Sequence, residues 1–456
     1  RKFAEHMKGV MDDLPLGKNK AETEELIKAK AKTLNMSASE LKELKKEVNL
    51  KATNNARYLT FTKPLEGMSR HISKLTTESP MTKLIAPFIR TPVNIVRFAA
   101  ERTPFGVFMR EHKGLKGAAK DTQQAKLAFG AMVGASTVAM AAQGKITGSG
   151  PSDSNAMRTL RSTGWQPYSF VIDQEDGTKR YLAYNRVEPL GIILGLSADL
   201  SDIAGSLNDE DADNIGTRIG ASISKNLTDK TFFRGITDVI EAANDPDRFF
   251  DSWSRNMAGT IVPTGLAQAA RTIDPVVRDT QTYMDKIKSR IPGYSQTLEA
   301  RPNFWGEPII MSGGLGPDIV SPIYSSFSNN DPVSNELVRL KYSPSMPQKS
   351  MDGIKIPPDL YNKFVRRAGK AAHSILEKYV VSNYEYRKLD KFPSAQITQI
   401  KKIIEKTREI ASVMLRIEMG MVFRSKDADI LRDIRRSDPE AFENLDIPER
   451  YKKNLR

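Results

Sequence analysis

Cysteine is absent from all 456 residues. This excludes disulfides, thiolate metal sites and cysteine nucleophiles. Histidine is scarce: His6, His71, His112 and His373 are scattered with no ligand-like spacing, and each reads as a surface or helix-packing residue. HExxH, GxxxxGK[ST] and GxSxG are all missing, which removes the zinc-protease, P-loop and nucleophile-elbow chemistries. Gly313-Gly314-Leu315-Gly316 lacks the third glycine and the preceding strand of a dinucleotide site, so it reads as a flexible loop. Asp427, Asp429 and Asp433 lie among Arg424, Lys426 and Arg432 and read as ordinary helix charges rather than a cation site. Glu5, Glu43 and Glu188 are isolated acids, whereas glycoside cleavage needs two carboxylates held close in space. No catalytic, cofactor or metal residue is therefore assigned, and the chain is expected not to be an enzyme in itself. The start is charged, with no apolar stretch of the kind a signal peptide carries. Because it opens at Arg1, it is expected to be a piece of a longer protein.

What the chain has is positive charge and helix-forming sequence. Lys and Arg number 69 against 55 Asp and Glu, a net charge of +14. That excess favours polyanionic partners, namely nucleic acid or anionic lipid headgroups. The length leaves room for two or three domains.

The longest stretch without charge is Leu127 to Gly144, bracketed by Lys126 and Lys145. As a helix, its roughly 18 residues would extend about 27 Å, the lower limit for crossing a bilayer core of about 30 Å. Its interior is small-residue rich. Gly130 and Gly134 form a GxxxG that lets helices approach closely, with Ala135 and Ala139 continuing the small-residue line. Two readings stand. The preferred one is a central helix fully buried in a soluble helical body; the other is a membrane-inserting helix.

The flanking sequence divides into five stretches. Residues 1–57 read as a charged helical arm, with a capping box from Ser37 and Glu40 and a staple from Met36 and Leu41. Residues 58–150 hold short amphipathic helices bent at Lys63-Pro64, Ser79-Pro80, Ala86-Pro87, Thr91-Pro92 and Thr103-Pro104, then the uncharged helix at 127–144. Arg90, Arg97, Arg102 and Arg110 punctuate the apolar clusters of this stretch, which suits packing against the uncharged helix or lying on a membrane surface.

Residues 151–300 hold a β-hairpin and a helical core. Tyr168, Phe170 and Ile172 alternate, Asp176-Gly177 turns, and Tyr181 to Tyr184 returns. Arg186 and Glu188 follow, where buried ion pairs could orient the hairpin. Asp245-Pro246, Asp274-Pro275, Asp331-Pro332 and Asp438-Pro439 each read as a helix start, Asp capping and Pro filling the first turn. Residues 301–357 are rich in Pro, Gly and Ser and read as an irregular crossing segment, anchored by Phe304 and Trp305.

Residues 358–456 return to basic helices. Leu360, Phe364, Ala368, Ala371, Ile375 and Tyr379 form one face. Ser394 would cap a helix carrying Ile397, Ile400, Ile404, Ala411, Met414 and Ile417. Lys401, Lys402, Lys406, Arg408 and Arg416 on its other side are either a solvated face or a polyanion contact.

Several phrases, in order, resemble a known family. They are Thr60-Phe61-Thr62-Lys63-Pro64-Leu65, Pro87-Phe88-Ile89-Arg90-Thr91-Pro92-Val93-Asn94-Ile95 and Glu101-Arg102-Thr103-Pro104. Gly164-Trp165-Gln166-Pro167-Tyr168-Ser169, Tyr184-Asn185-Arg186-Val187-Glu188-Pro189-Leu190-Gly191 and Arg301-Pro302-Asn303-Phe304-Trp305-Gly306-Glu307-Pro308 follow. Together, over residues 55 to 415, they resemble the C-terminal region of the large internal virion proteins, or ejection proteins, of short-tailed bacteriophages. The resemblance implies a protein packed in the capsid core above the portal, together with other ejection proteins and the genomic double-stranded DNA. It implies release through the tail and a homo-oligomeric ring that helps form a conduit across the host periplasm and inner membrane. Enzyme domains occur elsewhere in such chains, including peptidoglycan-cleaving ones, and no motif of theirs stands here.

The sequence thus predicts a mainly α fold: a multi-helix body with one small β-hairpin at about 168–184 and a Pro/Gly-rich crossing. Its leading function is a structural ejection protein. The alternative is a non-catalytic nucleic-acid-binding segment of a large phage DNA-processing or virion polymerase polyprotein.

Overall fold

The computed structural model describes residues 20–33, 35–64, 86–103, 115–205, 215–230, 251, 254–256, 258–259, 261–311, 323–445, 447–448 and 452. Ser79-Pro80, Asp245-Pro246, Gly313–Gly316, Arg110, Glu5, His6, His71 and His112 lie outside these residues. The described fold is mainly α-helical, with a few short antiparallel strands. In chain order the helices begin α1 (Lys20–Thr33), α2 (Ala38–Leu59), α3 (Ala86–Ala100), α4 (Ala118–Ala142) and α5 (Ser154–Ser162). Strands β1 (Ser169–Asp173) and β2 (Lys179–Ala183) follow, then α6 (Leu190–Gly205), α7 (Ile215–Thr228), α8 (Thr264–Ile273) and α9 (Tyr283–Lys288). The remainder is β3 (Ser325–Phe327), α10 (Pro332–Arg339), β4 (Ser350–Met351), β5 (Ile354–Lys355), α11 (Pro358–Ser382), α12 (Tyr384–Lys388), α13 (Pro393–Glu418), α14 (Ser425–Ser437) and α15 (Pro439–Glu443).

The chain forms two compact units, one from residues 1–149 and 185–250, the other from 150–184 and 251–456. The hairpin therefore groups with the C-terminal helices, whereas the sequence reading placed it with the helices up to residue 300.

In the first unit, α2 opens on the expected capping box: Ser37 N–H donates to Glu40 Oε2 at 2.8 Å and Glu40 N–H to Ser37 Oγ at 3.4 Å. Ile27, Leu44 and Val48 are buried between α1 and α2, with Met36 and Leu41 against them, so the arm has an apolar seam of its own. Helix α3 runs unbroken through Pro92, where the sequence reading put a bend. Pro92 is buried within it. At the end of α3, Glu101 accepts from Tyr58 Oη at 2.5 Å and Lys126 Nζ at 2.8 Å, locking α2 and α4 to α3. Ala99, Ile192 and Ile193 form the core with Val133, Leu196 and Leu227. Asp199 of α6 accepts from Ser149 N–H at 2.5 Å and Ser222 Oγ at 2.8 Å, which ties the turn after α4 to α6 and α7. Glu188 pairs with Lys230 at 2.5 Å, and Lys230 also donates to the Asn185 carbonyl. Burial pushes the Glu188 carboxyl above its usual range despite this partner.

In the second unit, β1 and β2 pair antiparallel from Ser169↔Ala183 to Asp173↔Lys179 around the turn at Gly177. The buried strand side chains are Ser169, Val171 and Tyr181, while Ile172 is exposed. Tyr168 adopts a left-handed φ of +52°, so its side chain does not continue the alternation the sequence suggested. The crossing segment supplies β3, which pairs with β2 through Leu182↔Ser325 and Arg180↔Phe327 and makes the sheet three-stranded. Asp331 caps α10 with Pro332 in the first turn, and Asp438-Pro439 opens α15, as expected. Asp274 instead ends α8: its carboxylate is gripped by Arg278 through two 2.9 Å hydrogen bonds, and Val276 bridges to Ile310. No helix begins at Pro275 because that backbone is committed to the bridge.

Helices α11 and α13 form the main helical pair of this unit. Phe364 and Ala368 of the predicted α11 face are buried, with Tyr361, Val365, Ala372 and Leu376 beside them, whereas Ala371 and Ile375 are exposed. At Gly369 an added Cβ would sit 2.5 Å from the Trp305 backbone, so that side of α11 presses against the crossing. Trp305 is buried and donates to Ser334 Oγ at 2.8 Å, confirming it as an anchor. Ser394 is a residue of α13 rather than its cap, which falls on Phe392.

Candidate functional site

The uncharged run forms the C-terminal part of α4. The helix lacks a side-chain N-cap at Gly117 and has Asp121 in its first turn, where a negative charge complements the free amides. It ends in a Schellman turn: Lys145 N–H donates to the Met140 carbonyl at 2.8 Å and Gly144 N–H to Ala141 at 2.9 Å, with Gly144 at φ +68°.

Gln123, Gly130 and Thr137 are its buried residues, seven apart, so a single narrow seam faces the rest of the unit. Gln123 donates to the Glu101 carbonyl at 3.0 Å. Gly130 lies against the turn that follows α3, where an added Cβ would come within 1.6 Å of the Arg102 carbonyl oxygen. Gly134 faces α6, 3.3 Å from Ser197 Oγ on the same measure. Thr137 turns its hydroxyl back to the Val133 carbonyl at 2.8 Å.

The opposite face is bare. Phe129 is 43% exposed, Met132 61% and Val138 39%. Ala128, Ala131, Ala135, Ala139 and Ala142 are exposed beside them. Of the four predicted packing residues, Gly130 and Gly134 thus contact the chain's own helices, and Ala135 and Ala139 lie on the open side. The preferred expectation of a fully buried central helix is overturned, because α3 and α6 cover one side only. Among the described residues α4 is the one helix long and apolar enough to cross a membrane, and 11% of its apolar window is buried. Lys116 and Lys120 stand at one end, Lys126 beside the run and Lys145 at the other end.

The predicted polyanion contact on α13 divides. Lys401, Lys402 and Lys406 are exposed, interspersed with Glu405, which lies 3.8 Å from Lys401. Arg408 leans over the Phe304 ring at 5.5 Å and donates to the Ser345 carbonyl. Arg416 is buried and paired with Asp352 and Asp427, the latter at 3.1 Å. Neither arginine is available to an external polyanion. Asp352, at the β4–β5 turn, also pairs with Arg424, and these two arginines hold its carboxyl below the usual range.

Among the described residues no group of three metal-ligating side chains is present. His373 bonds Asp331 at 2.7 Å and packs edge-on against Trp305. Asp331 raises the imidazole above its ordinary value, and the carboxyl itself is held low by its hydrogen bonds despite partial burial.

No protein-family model, curated protein or solved structure matches this chain.

Proposed function

We propose that the chain is a structural segment of an internal virion protein of a short-tailed phage, ejected into the host to help form the conduit for genome entry. The observation that carries the reading is α4, whose wide, uncharged, apolar face is bare in the folded unit and has lysines at both ends. Such a helix suits a surface covered by partners in the capsid core and by lipid after ejection, with its lysines reaching the headgroups. The ordered phrases from Thr60 to Pro308 support the same assignment. The absence of disulfides permits unpacking for passage through a tail. The proposed partners are other ejection proteins, the portal, the DNA, the host inner membrane and further copies of the chain in a ring.

Mass spectrometry of purified particles before and after triggered DNA release tests this. Peptides of the chain should be present before release and depleted afterwards. Absence from particles, or full retention after release, refutes ejection.

A further inference from the structure

We propose that the second unit carries a nucleic-acid contact on the face built from Arg255, Arg271, Lys286, Arg290 and Arg301, separate from α13. Hydrogen bonds fold the stretch around residue 255 onto α9 and its exit. Arg255 Nη1 donates to the Gln281 carbonyl at 3.2 Å, Arg290 Nη1 to the Gly259 carbonyl at 2.8 Å, and the Ser254 and Tyr283 hydroxyls meet at 2.8 Å. Arg301 joins from the other side through its N–H bond to the Val277 carbonyl at 2.9 Å.

The result is a set of cations that oppose one another. Partial burial, then Arg290, Arg255 and Arg301, push the Lys286 ammonium below its ordinary range. Burial and Arg271 do the same to Arg290. Of the nearby acids, Asp251 partners Arg255 of the face itself, and the others are committed elsewhere. Asp274 holds Arg278, Asp285 closes the capping box of α9 with Thr282, and Asp279 accepts from Asn362. Glu299 is exposed at the edge of the face. Among the described residues Lys286 and Arg301 have no carboxylate partner. A face that gathers cations with few free carboxylates between them suits an anion, and phosphodiesters present anions at close intervals.

Two exposed tyrosines, Tyr283 at 46% and Tyr294 at 59%, stand on the same stretch. Exposed rings beside cations suit stacking on bases. They favour nucleic acid over lipid headgroups, which offer no planar partner. The contact needs no ejection step and holds whether or not the chain leaves a virion.

The test uses the full chain and a fluorescein-labelled 25-base-pair DNA duplex, or one of its strands, by anisotropy over a salt series. Lys286→Gln with Arg301→Gln should make the duplex slope of log K against log salt shallower by about 1.8, two phosphate contacts at about 0.9 each. The charge-preserving Lys286→Arg with Arg301→Lys should keep the slope, and circular dichroism should show all variants equally folded. Lys401→Gln, Lys402→Gln and Lys406→Gln together should leave the slope unchanged. Tighter binding of the strand than the duplex would support contact through the tyrosines. An unchanged slope in the first pair, an equal loss in the α13 triple variant, or binding only to phosphatidylglycerol vesicles overturns the proposal.

Discussion

Gly130→Ala and Gly134→Ala make the same chemical change one turn apart on α4, and the structure predicts opposite results. In a helix interior, alanine is favoured over glycine by about 0.8–1 kcal/mol. At Gly134 the new methyl would meet the Ser197 hydroxyl oxygen at 3.3 Å, and that side chain can rotate away. Most of the propensity gain should survive, giving a stabilisation of about 0.5 kcal/mol. At Gly130 the methyl would fall 1.6 Å from the Arg102 carbonyl oxygen and 2.6 Å from its carbon. Both are backbone, so α3 and α4 must separate. Overpacking a close-packed contact costs about 1–3 kcal/mol, and a backbone obstacle puts this case at or beyond the upper end. Net of propensity, the loss is about 2 kcal/mol, and the two variants should differ by roughly 2.5 kcal/mol. Because two units need not unfold together, the assay is amide exchange read by mass spectrometry over α3 and α4. Protection should fall about thirty-fold or more in Gly130→Ala and rise slightly in Gly134→Ala, at about ten-fold per 1.4 kcal/mol. Equal protection in the two variants would refute the claim that Gly130 is required for backbone approach inside the chain.

Arg416→Ala strands Asp427 and should cost about 3 kcal/mol in the second unit, whereas Lys401→Ala should stay within about 0.5 kcal/mol; urea midpoints compare them, and matching midpoints would contradict the buried network. His373 bonded to Asp331 has its folded pKa raised, so its contribution is complete below its ordinary 6.5 and disappears as pH rises through the raised value. Asp331 has its folded pKa lowered, so its contribution is complete above 3.8 and disappears as pH falls through the lowered value. Trp165 and Trp305 belong to the second unit, so tryptophan fluorescence melts follow it, and Asp331→Asn should flatten the decline in stability above pH 6.5. A decline of unchanged steepness would mean that other groups cause it. Met132→Glu, on the bare side of α4, should leave folding in water within about 0.5 kcal/mol of the parent. It should weaken association with anionic liposomes about a hundred-fold, as burying a charge costs about 2.5–3.5 kcal/mol; unchanged liposome binding would show that this face does not enter lipid.

Local chemistry was the most legible part of the sequence. Ser37 with Glu40, Asp331 with Pro332, and the 168–184 hairpin each depend on residues close along the chain, and each formed. Features decided by distant partners were not legible. β3 lies in a Pro- and Ser-rich stretch with little strand character and exists because β2 offers a free edge. Asp274 carries the same Asp-Pro signature as Asp331, but Arg278 and the bridge to Ile310 claim it. On α11, Phe364 and Ala368 were legible as core, but the close approach of Trp305 to Gly369 was not. For Arg416 a usable signal existed: it is a lone cation in the apolar stretch from Ile410 to Phe423, and such an arginine is normally paired inside. For α4, composition fixed the helix but could not tell which sides its neighbours would cover. The cluster around Lys286 escaped notice because its members are spread from residue 255 to 301 and meet only through the folded backbone.

Helix α4 is inside out by the standards of a protein in water. Its inward line is Gln123, Gly130 and Thr137, an amide, a bare backbone and a hydroxyl, while Phe129, Met132 and Val138 point away. The apolar part of its seating comes from Val133, which packs beside this line against Ala99, Ile192 and Ile193. Its polar side chains donate to backbone carbonyls of the chain, Gln123 to Glu101 and Thr137 to Val133. Moving the outer face from water to hydrocarbon therefore breaks none of the bonds that hold the inner face. The folded unit therefore seats this helix at two kinds of contact, the close backbone approach at Gly130 and the small apolar core around Val133.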